Sequence, residues 1–197
     1  MQLDQEHKGF SFLKEGPLDM RMNPLSELSA EDIINDWSER DLGNIFRNFG
    51  EEPKWKEIAK VIVDARRKCR IETTKQLANI IEGCRSRVKG RLHPATLVFQ
   101  ALRISVNKEL DVLKEGLEQA IQFLSAEGRM GVISFHSLED RIVKNIFRDA
   151  ATPLREGKEK LMPLMTLLTK KPIIPTLAEI RANARSRSAK LRFAEKN

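Results

Sequence analysis

The stretch from Arg129 to Arg141, Arg-Met-Gly-Val-Ile-Ser-Phe-His-Ser-Leu-Glu-Asp-Arg, constrains the fold more than any other part of this chain. Gly128 closes a helical pattern, and Met130, Val132, Ile133 and Phe135 form a short apolar run rich in strand formers. Ser137 and Asp140 then have the spacing of a helix capping box. The spacing predicts strand, turn, helix. In an open α/β sheet the carboxyl end of such a strand faces the ligand crevice, which puts Ser134, His136, Ser137 and Glu139 where chemistry is usually placed. The same spacing also describes a capping turn that merely carries polar side chains.

A chain of 197 residues, 41% hydrophobic and 32% charged, has room for one globular domain or for one domain carrying a small insertion. No apolar run approaches spanning length, and the opening Met-Gln-Leu-Asp-Gln-Glu-His-Lys lacks the charged start and apolar centre of a signal peptide. The expected location is cytoplasmic. Cys69 and Cys84 lie in helical patterns, away from any His cluster, and read as reduced thiols rather than metal ligands or a disulfide.

The net charge of +7 suggests a polyanionic partner, and its distribution is more informative than its total. From Arg181 to Asn197 the cations Arg181, Arg185, Arg187, Lys190, Arg192 and Lys196 face Glu195 alone, an excess able to neutralise several phosphates. Arg66, Arg67, Lys68 and Arg70 form a second cluster, and Arg85, Arg87, Lys89 and Arg91 a third. Each cluster also reads as a solvated face.

The chain opens with a loop-like stretch dense in turn residues and large apolar side chains. Phe10, Phe12, Leu18, Met20 and Met22 need something to pack against, and an ordered loop of this kind either packs as an arm or carries binding residues. Helical signals follow. Ser29 with Asp32 and Ser38 with Asp41 cap two short helices, the second stopping at Gly50. Pro53 suits the first turn of a third, and Thr73 or Thr74 opens a fourth that Gly83 closes. After His93-Pro94 one long helical pattern runs through Val98, Phe99, Leu102, Val106, Leu110, Leu113, Leu117, Ile121 and Leu124. His93 suits either a ligand or base role, or a local hydrogen bond at a helix entry. With the strand and helix after it, this pattern has the rhythm of a parallel α/β sheet. Leu164 to Leu168 reads as a strand, Leu177 to Ala184 as a helix and Lys190 to Ala194 as a final strand, a hairpin-like mixed-sheet ending. None of the common glycine-rich nucleotide loops, the nucleophile elbow or the zinc-protease helix is present.

Several long motifs resemble, in order, the RsmH (MraW) family. They are Gln2-Leu3-Asp4, Gly9-Phe10-Ser11-Phe12, Gly16-Pro17-Leu18-Asp19-Met20-Arg21-Met22, Phe49-Gly50-Glu51-Glu52, His93-Pro94-Ala95-Thr96, Phe99 to Ile104, Val106-Asn107, Glu109-Leu110, Ile133 to Val143 and Arg185 to Arg192. The resemblance covers almost the whole chain. It implies an α/β fold, the later part of a Rossmann-like class I methyltransferase sheet with an inserted all-helical domain. Residues 1–22 and 92–197 would belong to the methyltransferase domain and 23–91 to the inserted helices. It further implies S-adenosylmethionine (S-adenosyl-L-methionine) as cofactor and N4-methylation of a cytidine in the decoding region of small-subunit ribosomal RNA. The partner would be that RNA or the assembled small subunit, with no membrane and no metal called for.

By position, Gln2 matches a family residue that contacts the cofactor. The candidates for substrate chemistry are Asp19, Ser134, His136, Ser137 and Glu139, with Asp140 beside them, and those for RNA binding are Arg21, Arg103, Arg141, Arg185, Arg187 and Lys190. Arg21, Arg103 and Arg141 suit ion pairs with Asp19, Glu139 or Asp140 as well as phosphate. Family members carry their first strands and glycine-rich cofactor loop upstream of the point where this sequence starts. A catalytically inactive remnant or RNA-binding fragment, with an exposed apolar sheet edge, is therefore the alternative expectation.

Overall fold

The computed structural model describes residues 8–84, 93–153, 155–156 and 159–197, and the chain divides into two units, Met1–Glu109 and Leu110–Asn197. Gln2 and the basic residues Arg85, Arg87, Lys89 and Arg91 lie outside the described residues.

The first unit is helical because its local signals agree with one another. α1 (Ala30–Asp36) opens with a reciprocal box: the Ser29 hydroxyl accepts from the Asp32 amide, and the Asp32 carboxylate accepts from the Ser29 amide. α2 (Glu39–Asn48) starts at Ser38, which accepts from the Asp41 amide. α3 (Trp55–Arg66) has Lys54 at its cap, so Pro53 precedes the helix rather than sitting in its first turn. α4 (Thr74–Cys84) is capped by Thr73 and extends one residue past Gly83, which therefore lies in its last turn rather than beyond its end. α5 (Thr96–Asn107) completes the unit. One apolar cluster joins Ile33 and Ile34 of α1, Leu42 and Phe46 of α2, Ile58 and Ile62 of α3, Leu77 and Ile81 of α4, and Val98 and Leu102 of α5. Phe10, Leu18 and Met20 from the opening loop are buried in that same cluster, while Met22 is exposed.

The long helical pattern after Pro94 is broken rather than continuous. α5 ends at Asn107, Lys108 takes the left-handed conformation with φ 50°, and α6 (Glu109–Phe123) begins at the next residue.

The second unit contains β1 (Arg129–Ser134), α7 (Ser137–Ala150), a two-stranded hairpin of β2 (Arg155–Glu156) and β3 (Glu159–Lys160), and β4 (Met165–Leu167). α8 (Leu177–Ala182), a 3-10 turn over Ala184–Ser188 and β5 (Lys190–Lys196) follow. The three-stranded sheet has the order β1-β5-β4, and both of its ladders are antiparallel. The expected parallel pairing is therefore absent among the described residues. β1 and β4 do run in the same direction, joined through α7, but β5 lies between them and takes the hydrogen bonds of both. The expected pairing of the last two strands is observed, with Leu167 opposite Ala194.

One sheet face packs on helices: Met130, Val132, Met165 and Ala194 meet Leu117 and Ile121 of α6 and Val143 and Phe147 of α7. On the other face the Phe193 ring lies over Gly131, where an added Cβ would come within 2.5 Å of the ring. Among the described residues β1 is laddered on one side only, and Ile133 and Phe135 are more than half exposed.

Candidate functional site

Two places carry the candidate residues, one in each unit. The first is the opening loop. Gly9 has φ 68°, and Met20, fully buried, has φ 61°, a left-handed conformation that a side-chain-bearing residue holds only when its surroundings enforce it. The enforcing bonds come from several directions. The Met20 amide donates to the Lys8 carbonyl (2.9 Å), and the carbonyls of Asp19 and Leu18 accept from the first amides of α1, those of Ala30 and Glu31. Asn107 then ties the loop from the end of α5: its Nδ2 donates to the Met20 carbonyl (2.8 Å) and the Arg103 carbonyl, and its Oδ1 accepts from the Met22 amide (2.8 Å).

This bracing holds Asp19 against Arg21. The carboxylate accepts from the Arg21 amide, from Nε at 2.8 Å and from the outer guanidinium nitrogen at 2.8 Å, while the remaining nitrogen of that guanidinium donates to the Ser26 carbonyl. The Arg21 hydrogen bond holds the Asp19 carboxyl below its ordinary range, against the opposing effect of burial. A carboxylate so held is a hydrogen-bond acceptor and a weak base. It stays 30% exposed, with acceptor capacity left on Oδ2.

Asn107→Ala removes the donor to a buried carbonyl and the acceptor for the Met22 amide together. The expected loss is about 1–3 kcal/mol in urea unfolding of the whole chain, the usual cost of an unsatisfied buried group. A loss below a few tenths would show that the loop holds its form without this tie.

The second place is the end of β1. The predicted strand, turn and helix are all present, but the capping box sits one residue earlier than the Ser137 and Asp140 spacing suggested. His136 is the cap: its Nδ1 accepts from the Glu139 amide at 3.3 Å, and the Glu139 carboxylate accepts from the amides of Phe135 (2.8 Å) and His136 (3.2 Å). An accepting Nδ1 carries no proton, so the ring proton resides on Nε2. Ser134 is buried, its hydroxyl 3.4 Å from the Lys190 carbonyl, and Ser137 is the first residue of α7.

Asp140 points inward. Arg192 Nε donates to its Oδ1 at 2.7 Å, the Arg192 outer nitrogen reaches Oδ2 at 3.2 Å, and Lys190 Nζ lies 3.4 Å from Oδ2. Both Asp140 and Arg192 are buried. Arg192, counted by sequence among the phosphate-neutralising cations, is thus a structural partner of Asp140, and Lys190 shares that role.

The other candidates are dispersed. Arg103 pairs with Glu109 at 2.8 Å, a partner the sequence did not suggest. Arg141 is exposed on α7, and Arg185 and Arg187 are exposed in the 3-10 turn. Of the second basic cluster, Arg66 caps α1 through the Ile34 and Trp37 carbonyls, and Arg70 meets Glu31, Asp32 and Asp36. His93 is a local residue: its Nδ1 accepts from the Ala95 amide, its Nε2 lies 2.6 Å from Glu82, and its ring stacks on Phe12.

Three carboxylates set the acid limb of stability. Asp140 is lowered first by Arg192, Asp19 first by Arg21 and Asp32 first by the Ser29 hydroxyl, each from an ordinary value of 3.8. A folded value below the unfolded one stabilises fully above the unfolded value, and that contribution disappears as pH falls through 3.8 towards the folded value. The melting temperature should therefore hold steady above about pH 5 and fall progressively below it. The drop should be shallower in Asp32→Asn, and a flat profile down to about pH 2.5 would contradict the assignment.

The sequence pattern of the MraW methylase family matches residues 1–197. A protein of Protochlamydia amoebophila named "Ribosomal RNA small subunit methyltransferase H" is 53% identical across 99% of this chain and 64% of its own length. Proteins of the same name from Synechococcus elongatus and Citrifermentans bemidjiense are 48% and 51% identical, each across 99% of this chain and 62% and 65% of their own lengths. The chain thus spans slightly less than two thirds of the length of these relatives. The match runs through both units, taking in the braced Asp19–Arg21 loop and the His136–Glu139 turn, and the chain belongs to the MraW methylase family.

Proposed function

We propose that this chain serves the N4-methylation of a cytidine in small-subunit ribosomal RNA, with S-adenosylmethionine as methyl donor. The observation that carries this reading is family membership over all 197 residues, together with relatives named as small-subunit ribosomal RNA methyltransferases. In fold terms, β1, α7 and β4 would be a late part of a Rossmann-like methyltransferase sheet, because two strands running the same way through an intervening helix are the connection such sheets are built from. Residues 23–91 would be the inserted helical domain.

The described residues do not form a cradle for the donor at the β1 end. The amides of Phe135, His136 and Glu139 are already engaged in the cap, and the turn carries side chains rather than a glycine loop. Gln2 would remain the cofactor contact. The donor, when bound, supplies an electrophilic methyl group.

An aromatic amine is a poor nucleophile because its lone pair is delocalised, so acceptors aimed at its N–H groups and close positioning supply most of the rate. Asp19 would act in that way, accepting a hydrogen bond from the amino group; Arg21 makes it a weak base, so the proton released on methylation would pass to water. Ser134, His136, Ser137 and Glu139 would shape the strand end, the His136 Nδ1 held by the cap and its Nε2 3.4 Å from a Glu139 carboxylate oxygen. The target base must leave its stack to be reached.

The test is transfer of a radiolabelled methyl group to protein-free small-subunit RNA and to assembled small subunits, with calorimetry of donor binding alongside. Labelled N4-methylcytidine in the digested RNA supports the reading. No label, with a complete relative labelling the same RNA, sinks it for this chain.

A further inference from the structure

We propose that residues 170–189 form an RNA-docking arm that grips the phosphodiester backbone. This deepens the RNA reading above and rests on it for the identity of the ligand.

The arm has a closed base. Ile173 and Leu191 exchange two backbone hydrogen bonds, 2.8 and 2.9 Å, so the chain leaves the sheet after Ile173 and returns at the start of β5. Between these points very little is buried. α8 has no buried residue, although every helix from α1 to α7 has at least two, and Ser186 is the single buried residue of the 3-10 turn. A helix of six residues is far too short to persist on its own propensity. Local caps keep the arm's shape: Thr176 accepts from the Glu179 amide, Asn183 accepts from the Arg185 amide, and the Ser186 hydroxyl donates to the Asn183 carbonyl. The chain therefore presents an ordered excursion that does almost nothing for the core, and such an element is explained by what binds to it.

Charge selects the partner. Lys170, Lys171, Arg181, Arg185 and Arg187 are all exposed, and Glu179 is the single acidic residue between Thr169 and Ala189. Among the described residues no carboxylate pairs with Lys170, Lys171, Arg181 or Arg187. The contrast with Arg66 and Arg70 of the first unit, both engaged by carbonyls or carboxylates, is direct. Ile174 and Leu177, 67% and 74% exposed, stand on the same arm and suit contact with ribose and base faces. A protein partner would value those two apolar side chains, but an excess of five cations over one acid fits a polyanion better.

The experiment measures binding of the full chain to an unstructured oligoribonucleotide of about 20 nucleotides across a salt series, without methyl donor. The arm variant combines Lys170→Gln, Lys171→Gln, Arg181→Gln and Arg187→Gln. A charge-matched control carries Arg40→Gln, Lys56→Gln, Lys60→Gln and Lys75→Gln, all exposed positions in the first unit. The arm variant should bind at least about tenfold more weakly at low salt, with the slope of log affinity against log salt flattened by about 0.7 for each phosphate no longer neutralised. The control should stay near the unmodified chain. Equal losses in both variants, an unchanged slope in the arm variant, or no binding by the unmodified chain would each overturn the proposal. Loss of RNA binding confined to Ile174→Ala with Leu177→Ala, with the arm variant binding as the unmodified chain does, would overturn the phosphate grip in favour of apolar contact with the bases. RNA binding needs no methyl group, so a chain that binds through the arm but transfers nothing refutes the methylation reading alone.

Discussion

Asp140→Ala is expected to destabilise the chain by about 3–5 kcal/mol, because it leaves the Arg192 guanidinium buried without its carboxylate. Arg192 is 7% exposed and its fork meets both oxygens of Asp140, so the truncation leaves a buried guanidinium without either of those acceptors. The reverse change should be milder. Arg192→Met leaves Asp140 with Lys190, whose ammonium is 3.4 Å away and can close on it. The double variant, Asp140→Ala with Arg192→Met, should recover most of the loss, since no buried charge then remains unpaired. Urea unfolding of the four proteins completes the cycle. If Asp140→Ala cost under about 1 kcal/mol, Arg192 would be hydrated in solution and the pair would not organise the strand end.

Gly9→Ala is the second large effect, and its cause is steric. At φ 68° any L side chain is strained, and a Cβ built there overlaps the Pro17 carbonyl oxygen and lies 3.0 Å from the Asp19 amide nitrogen. The neighbours are backbone atoms, and they cannot swing aside. Pro17 is bridged to Thr73, Leu18 donates to the Glu72 carbonyl, and Met20 donates to Lys8. The left-handed cost of about 1–2 kcal/mol adds to overpacking of about 1–3 kcal/mol. We expect a total near 3 kcal/mol and, with it, displacement of Asp19 from Arg21. The second consequence separates this variant from a mere loss of stability. Acid titration should show the Asp19 carboxyl returning towards 3.8 in Gly9→Ala, whereas a folded variant that keeps the depressed value would show that the loop absorbs the methyl group.

What could be read in advance was local. The Ser29 and Ser38 caps were legible because a cap is a contact between residues three apart. The strand, turn and helix at Arg129 to Ala150 were legible because their periodicities differ. The shift of the cap from Ser137 to His136 was missed, since Glu139 and Asp140 offer equivalent spacing. What separates them is Arg192, fifty-two residues beyond Asp140, which draws that carboxylate inward and leaves Glu139 for the amides. The break at Lys108 was missed for a similar reason. Lysine is no helix breaker, and the Asn107 side chain is instead tied to Met20 and Met22, more than eighty residues earlier.

The final strand shows the division most clearly. Alternation over Lys190-Leu191-Arg192-Phe193-Ala194 assigns the apolar pair to the core and the cations to water. The fold does the opposite with Arg192, burying it beside Ala194, and leaves Leu191 and Phe193 on the second face of the sheet. The sequence by itself determined the presence of α1 to α4, the Ser29 and Ser38 caps, the strand–turn–helix order of β1 and α7 and the family, because each depends on short spacings or on the order of residues along the chain. Only the tertiary structure decided the antiparallel seat of β5 between β1 and β4, the Asp140–Arg192 pair and the bracing of Met20. Those rest on contacts between residues far apart in the chain, whose energy is set by burial and by the partner actually met.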